Sequence, residues 1–171
     1  MKLNLKDLFF FAMISMASLR VAAVDDFLFI SHTSDYLIKR FNTTSGRVDK
    51  IFRRFFPRVK APKDYRAGSI GYNGRHFSPP KPKYLDDIRS IVSYQGQIWV
   101  FTSRTDEKKG VLVDVYDRDG HYMDFFYLDL PFAQKFLYLP PMAFSEQYLW
   151  TLGKNEEEMV VIRKYRMISG S

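Results

Sequence analysis

The feature that most constrains this chain is a pattern written three times. "FLFISHTSDYLIKRFNTTSG" runs from Phe27 to Gly46, "QIWVFTSRTDEKKGVLVDVYDRDG" from Gln97 to Gly120, and "YLWTLGKNEEEMVVIRKYRM" from Tyr148 to Met167. Each begins with an alternating apolar stretch, crosses a polar break, and resumes as a second alternating stretch with an aromatic near its end. Alternation with period two puts one side chain in two on the same face, the mark of a half-buried strand. No stretch beyond the N-terminal run carries a helical period. Sixteen Phe and eleven Tyr fit the same conclusion, since aromatics suit a pleated surface.

Each unit extends on either side of its repeat. In the first, "SLRVAAV" precedes and "RVDKIFRRF" follows the turn cluster "NTTSG". The second reads "DIRSIVSY", "QIWVFTS", "VLVDVYD" and "HYMDFFYLDL", four strands joined by turn signals. The third has "MAFSE", "YLWTLGK" and "MVVIRKYRMI", three strands only. The spacing from Phe29 to Phe41 is 12, from Trp99 to Tyr116 is 17, and from Trp150 to Tyr165 is 15. The difference falls in the central break, where a loop can vary. Gly46 and Gly120 stand shortly after the second aromatic, at turns that call for positive φ. Trp99 and Trp150, inside apolar strands, are expected in the core between units.

Four-stranded antiparallel units in tandem are the blades of a β-propeller. The expectation is an all-β chain forming a partial β-propeller of about two and three-quarter blades. Its blades cover 19–56, 87–130 and, incompletely, 141–168, with an insertion at 57–86. The pattern "GQIWVFTS…VLVDVYDRDGHYMDFFYL" resembles the blades of bacterial NHL-like, six-bladed β-propeller proteins, and the other two repeats resemble them more loosely. That resemblance covers 19–168 apart from 57–86. It implies the fold far more than any activity, because propellers serve as enzymes, receptors and scaffolds alike.

A six-bladed ring needs about twice this length at roughly 40–50 residues per blade. A partial ring leaves open edges that invite association. Two readings follow: two copies closing a three-plus-three ring, or a portion of a longer propeller. A partner of another kind, an anionic ligand or another protein, is the third expectation.

Residues 1–18 belong to a separate problem. Lys2 and Lys6 precede an apolar run from Leu8 to Leu19, too short for an ordinary membrane span and the right length for a signal-peptide core. "VAA" at Val21–Ala23 would serve for cleavage. Against this, Asp7 and Arg20 flank the run poorly, and cleavage after Ala23 would divide the first strand of the first unit. Either a signal or anchor places the protein outside the cytoplasm, or the segment is part of the fold. No integral membrane span is expected.

Net charge is +7 and unevenly placed. Fourteen Lys or Arg stand between Lys39 and Arg89 against four Asp. The segment 57–86 holds five of the eight prolines and three of the nine glycines and reads as an irregular insertion. Arg53 and Arg54 just before it, with Arg58, Lys60, Lys63 and Arg66 inside it, are the candidate polyanion-binding residues. The competing reading is a solvated face with the aromatics packed beneath.

Up-and-down topology puts "SHTSD", "SRTDEKKG" and "KNEEE" on the face shared with 57–86. It gathers His32, Asp35, Arg104 and Asp106 there as candidate ligand-binding residues, the face at which ligands of six-bladed propellers commonly bind. Catalytic signatures are missing: there is no Gly-rich phosphate loop, no G-x-S-x-G and no H-E-x-x-H. The absence of cysteine removes thiolate chemistry and disulfides. The three histidines fall in different loops. Asp86 and Asp87 precede an innermost strand; Asp87 is a candidate calcium ligand, with a turn or strand cap the competing reading. The expected function is a non-catalytic binding or scaffold module with no cofactor, contacting its partner through the basic insertion. The alternatives are a calcium-dependent hydrolase or lyase, and a nucleic-acid or polyanion binder.

Overall fold

The computed structural model describes residues 19–32, 34–63, 65, 70–72, 75–77, 80–129, 142–155 and 157–168. All regular structure among them is β. The first sheet holds β1 (Arg20–Val24), β2 (Phe27–Ser31), β3 (Leu37–Asn42) and β4 (Arg47–Arg53) in sequential order. A two-stranded hairpin follows, β5 (Ile70–Tyr72) with β6 (Arg75–Phe77). The second sheet holds β7 (Ile88–Tyr94), β8 (Gln97–Asp106), β9 (Gly110–Tyr116) and β10 (Tyr122–Leu128), again sequential. The third has β11 (Met142–Ser145), β12 (Tyr148–Lys154) and β13 (Val160–Arg166). All neighbouring strands are antiparallel, and no sheet closes on itself.

The sheets stack through their apolar faces. Phe29 and Ile38 of the first sheet pack with Ile91, Ile98, Val100 and Leu112 of the second. On the opposite face of the second sheet, Trp99, Phe101, Val113 and Val115 pack with Leu149, Phe144 and Tyr165 of the third. Trp99 meets Phe126 at 4.8 Å and Phe144 at 5.3 Å between ring centroids, edge to face. The first strands of successive sheets lie together, β1 against β7 and β7 against β11.

One turn type recurs at the head of each sheet. Asp25, Gln95 and Glu146, each between the first and second strands, have φ of 50°, 50° and 48°. Tight hairpin loops use such left-handed residues because their twist matches the strands.

Three expectations need amending. The segment 57–86 is not irregular throughout: it contains β5 and β6, and Lys60 bridges Tyr84 so that its two arms run antiparallel. The polar break after "QIWVFTS" is short, because β8 continues to Asp106 past a register shift between Phe101 and Thr105. Trp150 is half-exposed and not core: it faces away from the second sheet, with the Lys164 ammonium 4.9 Å from its ring. Alternation assigns Trp150 to a face but not a neighbour to that face.

The segment 1–18, including the apolar run, lies outside the described residues, and so does Arg66. No helix among the described residues is long and apolar enough to cross a membrane.

Candidate functional site

The polar groups that burial makes costly are gathered between the first and second sheets. Asp114, on β9, is fully buried and faces the first sheet. A buried carboxylate must be matched by donors or a cation, and both come from the first sheet's side. Arg54, just after β4, donates from Nη1 to Asp114 Oδ1. The Tyr36 hydroxyl donates to Asp114 Oδ2 at 2.8 Å and accepts from the Tyr116 hydroxyl at 3.0 Å. Burial raises the pKa of both phenols, Tyr116 to about 12 and Tyr36 further. Both therefore stay protonated donors at neutral pH. Arg54 also lies 5.1 Å from the centre of the Tyr122 ring.

Tyr36 serves a second carboxylate through its backbone. Its N–H donates to Asp87 Oδ2 at 3.0 Å, and the Asp87 N–H donates to Ser34 O at 2.9 Å. Burial raises the Asp87 pKa, against the pull of Arg58, whose Nε stands 3.4 Å from Oδ1. Arg58 Nη1 is also 3.4 Å from Asp35 Oδ1, and its guanidinium lies 5.0 Å from the Tyr84 ring centre. Beside this corner, Arg20 donates from Nε to Arg89 O at 2.8 Å and pairs with Asp86 at 3.4 Å. Burial lowers the Arg89 pKa to about 10, which leaves it charged at neutral pH.

The four residues expected at the loop face have different surroundings. Asp35 joins Asp87 through Arg58. Arg104 is exposed and follows Ser103, whose N–H donates to Asp87 O at 3.1 Å. His32 is exposed, its Nε2 3.5 Å from Lys39 Nζ. Asp106 is committed to the β8–β9 turn, accepting from the N–H groups of Lys108 and Lys109 at 2.9 and 3.0 Å. Asp87 behaves as a buried cap for the loop before β3. No group of three His, Asp or Glu side chains among the described residues could hold a metal ion.

The basic candidates divide into two sets. Arg54, half-buried, and Arg58, itself exposed, pair with the buried Asp114 and Asp87. Arg53, Lys60 and Lys63 are exposed. Lys81 and Lys83, which sequence reasoning did not single out, are exposed on the returning arm opposite. The arms are zipped by Ala61 N–H to Lys83 O at 3.1 Å and Leu85 N–H to Val59 O at 2.9 Å. The result is a ribbon with a lysine on both sides of the 60–84 bridge. The signal that could have found the second pair is "KPKY", lysines flanking a proline at the return of the segment.

At the other end of the same seam, Arg40 pairs with Asp49 at 2.9 Å and with Asp119 at 3.0 Å, fastening the β9–β10 turn to the first sheet. No protein-family model matches the chain, and comparison with curated proteins gives no match.

Proposed function

We propose that the protein is a non-catalytic binding or scaffold module built from propeller-type blades, which contacts an anionic partner through the lysine ribbon of 57–86. The observation that carries this reading is the division of the basic residues. Arg54 and Arg58 are paired with the buried carboxylates Asp114 and Asp87, whereas Lys60, Lys63, Lys81 and Lys83 are exposed on two antiparallel arms, with the Lys81 ammonium donating across to the Lys63 carbonyl. Exposed cations on a preformed ribbon attract anions at little ordering cost. The blade reading is supported by the sequential four-, four- and three-stranded sheets, whose first strands lie together, and by the resemblance of the second unit to NHL-like blades.

The test is retention on a sulfated-polysaccharide column in a salt gradient. Lys60→Ser, Lys63→Ser, Lys81→Ser and Lys83→Ser together are expected to bring elution to much lower salt with an unchanged melting temperature. Unchanged elution would remove the ribbon as the contact surface.

A further inference from the structure

The three sheets stack by one rule, and that rule leaves two faces open. The recurring turns at Asp25, Gln95 and Glu146 set equivalent positions in the second strands. Leu28, Ile98 and Leu149 correspond, as do Phe29, Trp99 and Trp150, then Ile30, Val100 and Thr151, then Ser31, Phe101 and Leu152. Let face A of each sheet carry the Ile98 and Val100 positions, and face B the Trp99 and Phe101 positions. Face A of the second sheet packs on the first sheet's face B, which presents Phe29. Face A of the third sheet, presenting Leu149, packs on face B of the second, presenting Trp99 and Phe101. A-on-B packing thus occurs twice within one chain.

Two faces have no cover among the described residues. Face A of the first sheet carries Leu28, Ile30 and Phe41 half-buried, with Val21 43% and Ile51 58% exposed. Register places them together: Val21 is opposite Ile30, Ile30 opposite Lys39, and Lys39 opposite Ile51. Face B of the third sheet carries Trp150, Leu152, Val160 and Ile162, the last three 43%, 72% and 70% exposed. Leu152 is opposite Ile162, and Trp150 opposite Lys164. Largely apolar faces of this kind, here each with a lysine among the side chains, mark contact surfaces.

We infer that these two faces bind each other between two copies of this chain, face A of each copy on face B of the other. Continuity with the two seams already formed argues for it, since the open pair is the same A-on-B combination. Area argues for it as well. The smaller face, on the three-stranded sheet, has strands about 4.8 Å apart and about six residues long and spans roughly 15 by 20 Å. Two such seams bury roughly 1,200 Å² counting both sides, the lower end of the range for a standard stable complex. A two-fold axis satisfies both faces at once and ends the assembly at two.

The experiment is light scattering of the full chain with charge-complementing variants. The unaltered chain is expected at twice the 20.2 kDa chain mass. V21K/I51K on face A and L152E/I162E on face B should each run at the single-chain mass while still unfolding cooperatively, because these side chains are exposed in the single chain. An equimolar mixture should return to the doubled mass, since one seam is unaltered and the other sets lysines against glutamates. A single-chain mass for the unaltered protein overturns the inference, as does an open-ended series of larger species. A doubled mass for either variant alone overturns it too, because that means contact between like faces. So does a mixture that stays at the single-chain mass.

Discussion

The Tyr36 hydroxyl donates to Asp114 Oδ2 at 2.8 Å across 78 residues of chain, joining a loop of the first sheet to the central strand of the second. Its own backbone N–H holds Asp87 at 3.0 Å. One residue therefore satisfies two buried carboxylates, one through its side chain and one through its backbone, and only the first can be removed by substitution. Tyr36→Phe keeps the ring against Phe56, 5.7 Å away, but leaves Asp114 and Tyr116 each short of a partner. The expected loss is about 1–3 kcal/mol, read by denaturant unfolding. Asp114→Ala should lie at the upper end of that range, about 3 kcal/mol, because it strands Arg54.

The same phenols predict alkaline behaviour. Folding raises the Tyr116 pKa to about 12 and that of Tyr36 further, above the ordinary value near 10. Above pH 10 the unfolded chain releases protons that the folded chain keeps, so stability, complete below pH 10, falls as pH rises. The slope is about 1.4 kcal/mol per pH unit for each tyrosine. Tyr36→Phe should reduce the slope between pH 10 and 12 by one such increment. An identical slope in both proteins would mean that Tyr36 is not protected by the fold.

Arg58→Ala tests the other carboxylate. Burial already raises the Asp87 pKa, and loss of the guanidinium 3.4 Å away removes the main opposing influence. The variant should be destabilised at pH 7, with part of the loss recovered as pH falls and Asp87 takes up a proton. A deficit that stays constant as pH falls would show that Arg58 acts by packing on Tyr84 alone.

Two glycines with positive φ should respond unequally. A Cβ on Gly110, where φ is +95°, would collide with the backbone of Leu128, whereas one on Gly46, where φ is +66°, would meet open space. Gly46→Ala should cost about 1 kcal/mol from the left-handed backbone alone. Gly110→Ala should exceed about 2 kcal/mol, since strand β10 must shift. Equal melting temperatures would contradict the close approach of β9 to β10.

Removal of residues 1–23 provides a test of the N-terminal segment. β1 contributes buried Ala22 and Val24 and lies against β7, and this truncation divides it. The truncated chain should lose cooperative unfolding; if it melts like the full chain, β1 is dispensable and cleavage after Ala23 is compatible with the fold.

Strands were readable because their alternation is local: Phe29, Trp99 and Trp150 announce equivalent positions from a few neighbours each. What was not readable depends on residues far apart. Arg54 and Arg58 look like free surface cations in "RRFFPR", and only the position of Asp114 and Asp87 gives them carboxylate partners. That Asp106 accepts from the N–H groups of its own turn is likewise settled by backbone geometry that residue type alone does not report. The β5–β6 hairpin had a usable cue, the Asn-Gly dipeptide at 73–74 between two short strands, hidden by the proline and glycine content around it. Trp150 reads as core from the sequence because alternation reports which residues share a face, and not which faces find a neighbour.

The two seams differ in kind. Between the first and second sheets, directional groups act at both ends and the middle: Arg40 with Asp119, Tyr36 with Asp114, and Arg58 with Asp87. Between the second and third, the contact is mostly aromatic and aliphatic, with the Tyr94 hydroxyl reaching the Glu146 carbonyl. Hydrogen bonds weaken steeply with misalignment, whereas apolar contact has no preferred direction. The first seam therefore acts as a gauge that fixes the angle between its sheets, and the second as a joint with tolerance. Any angular error that accumulates along the stack is taken up between β8 and β12.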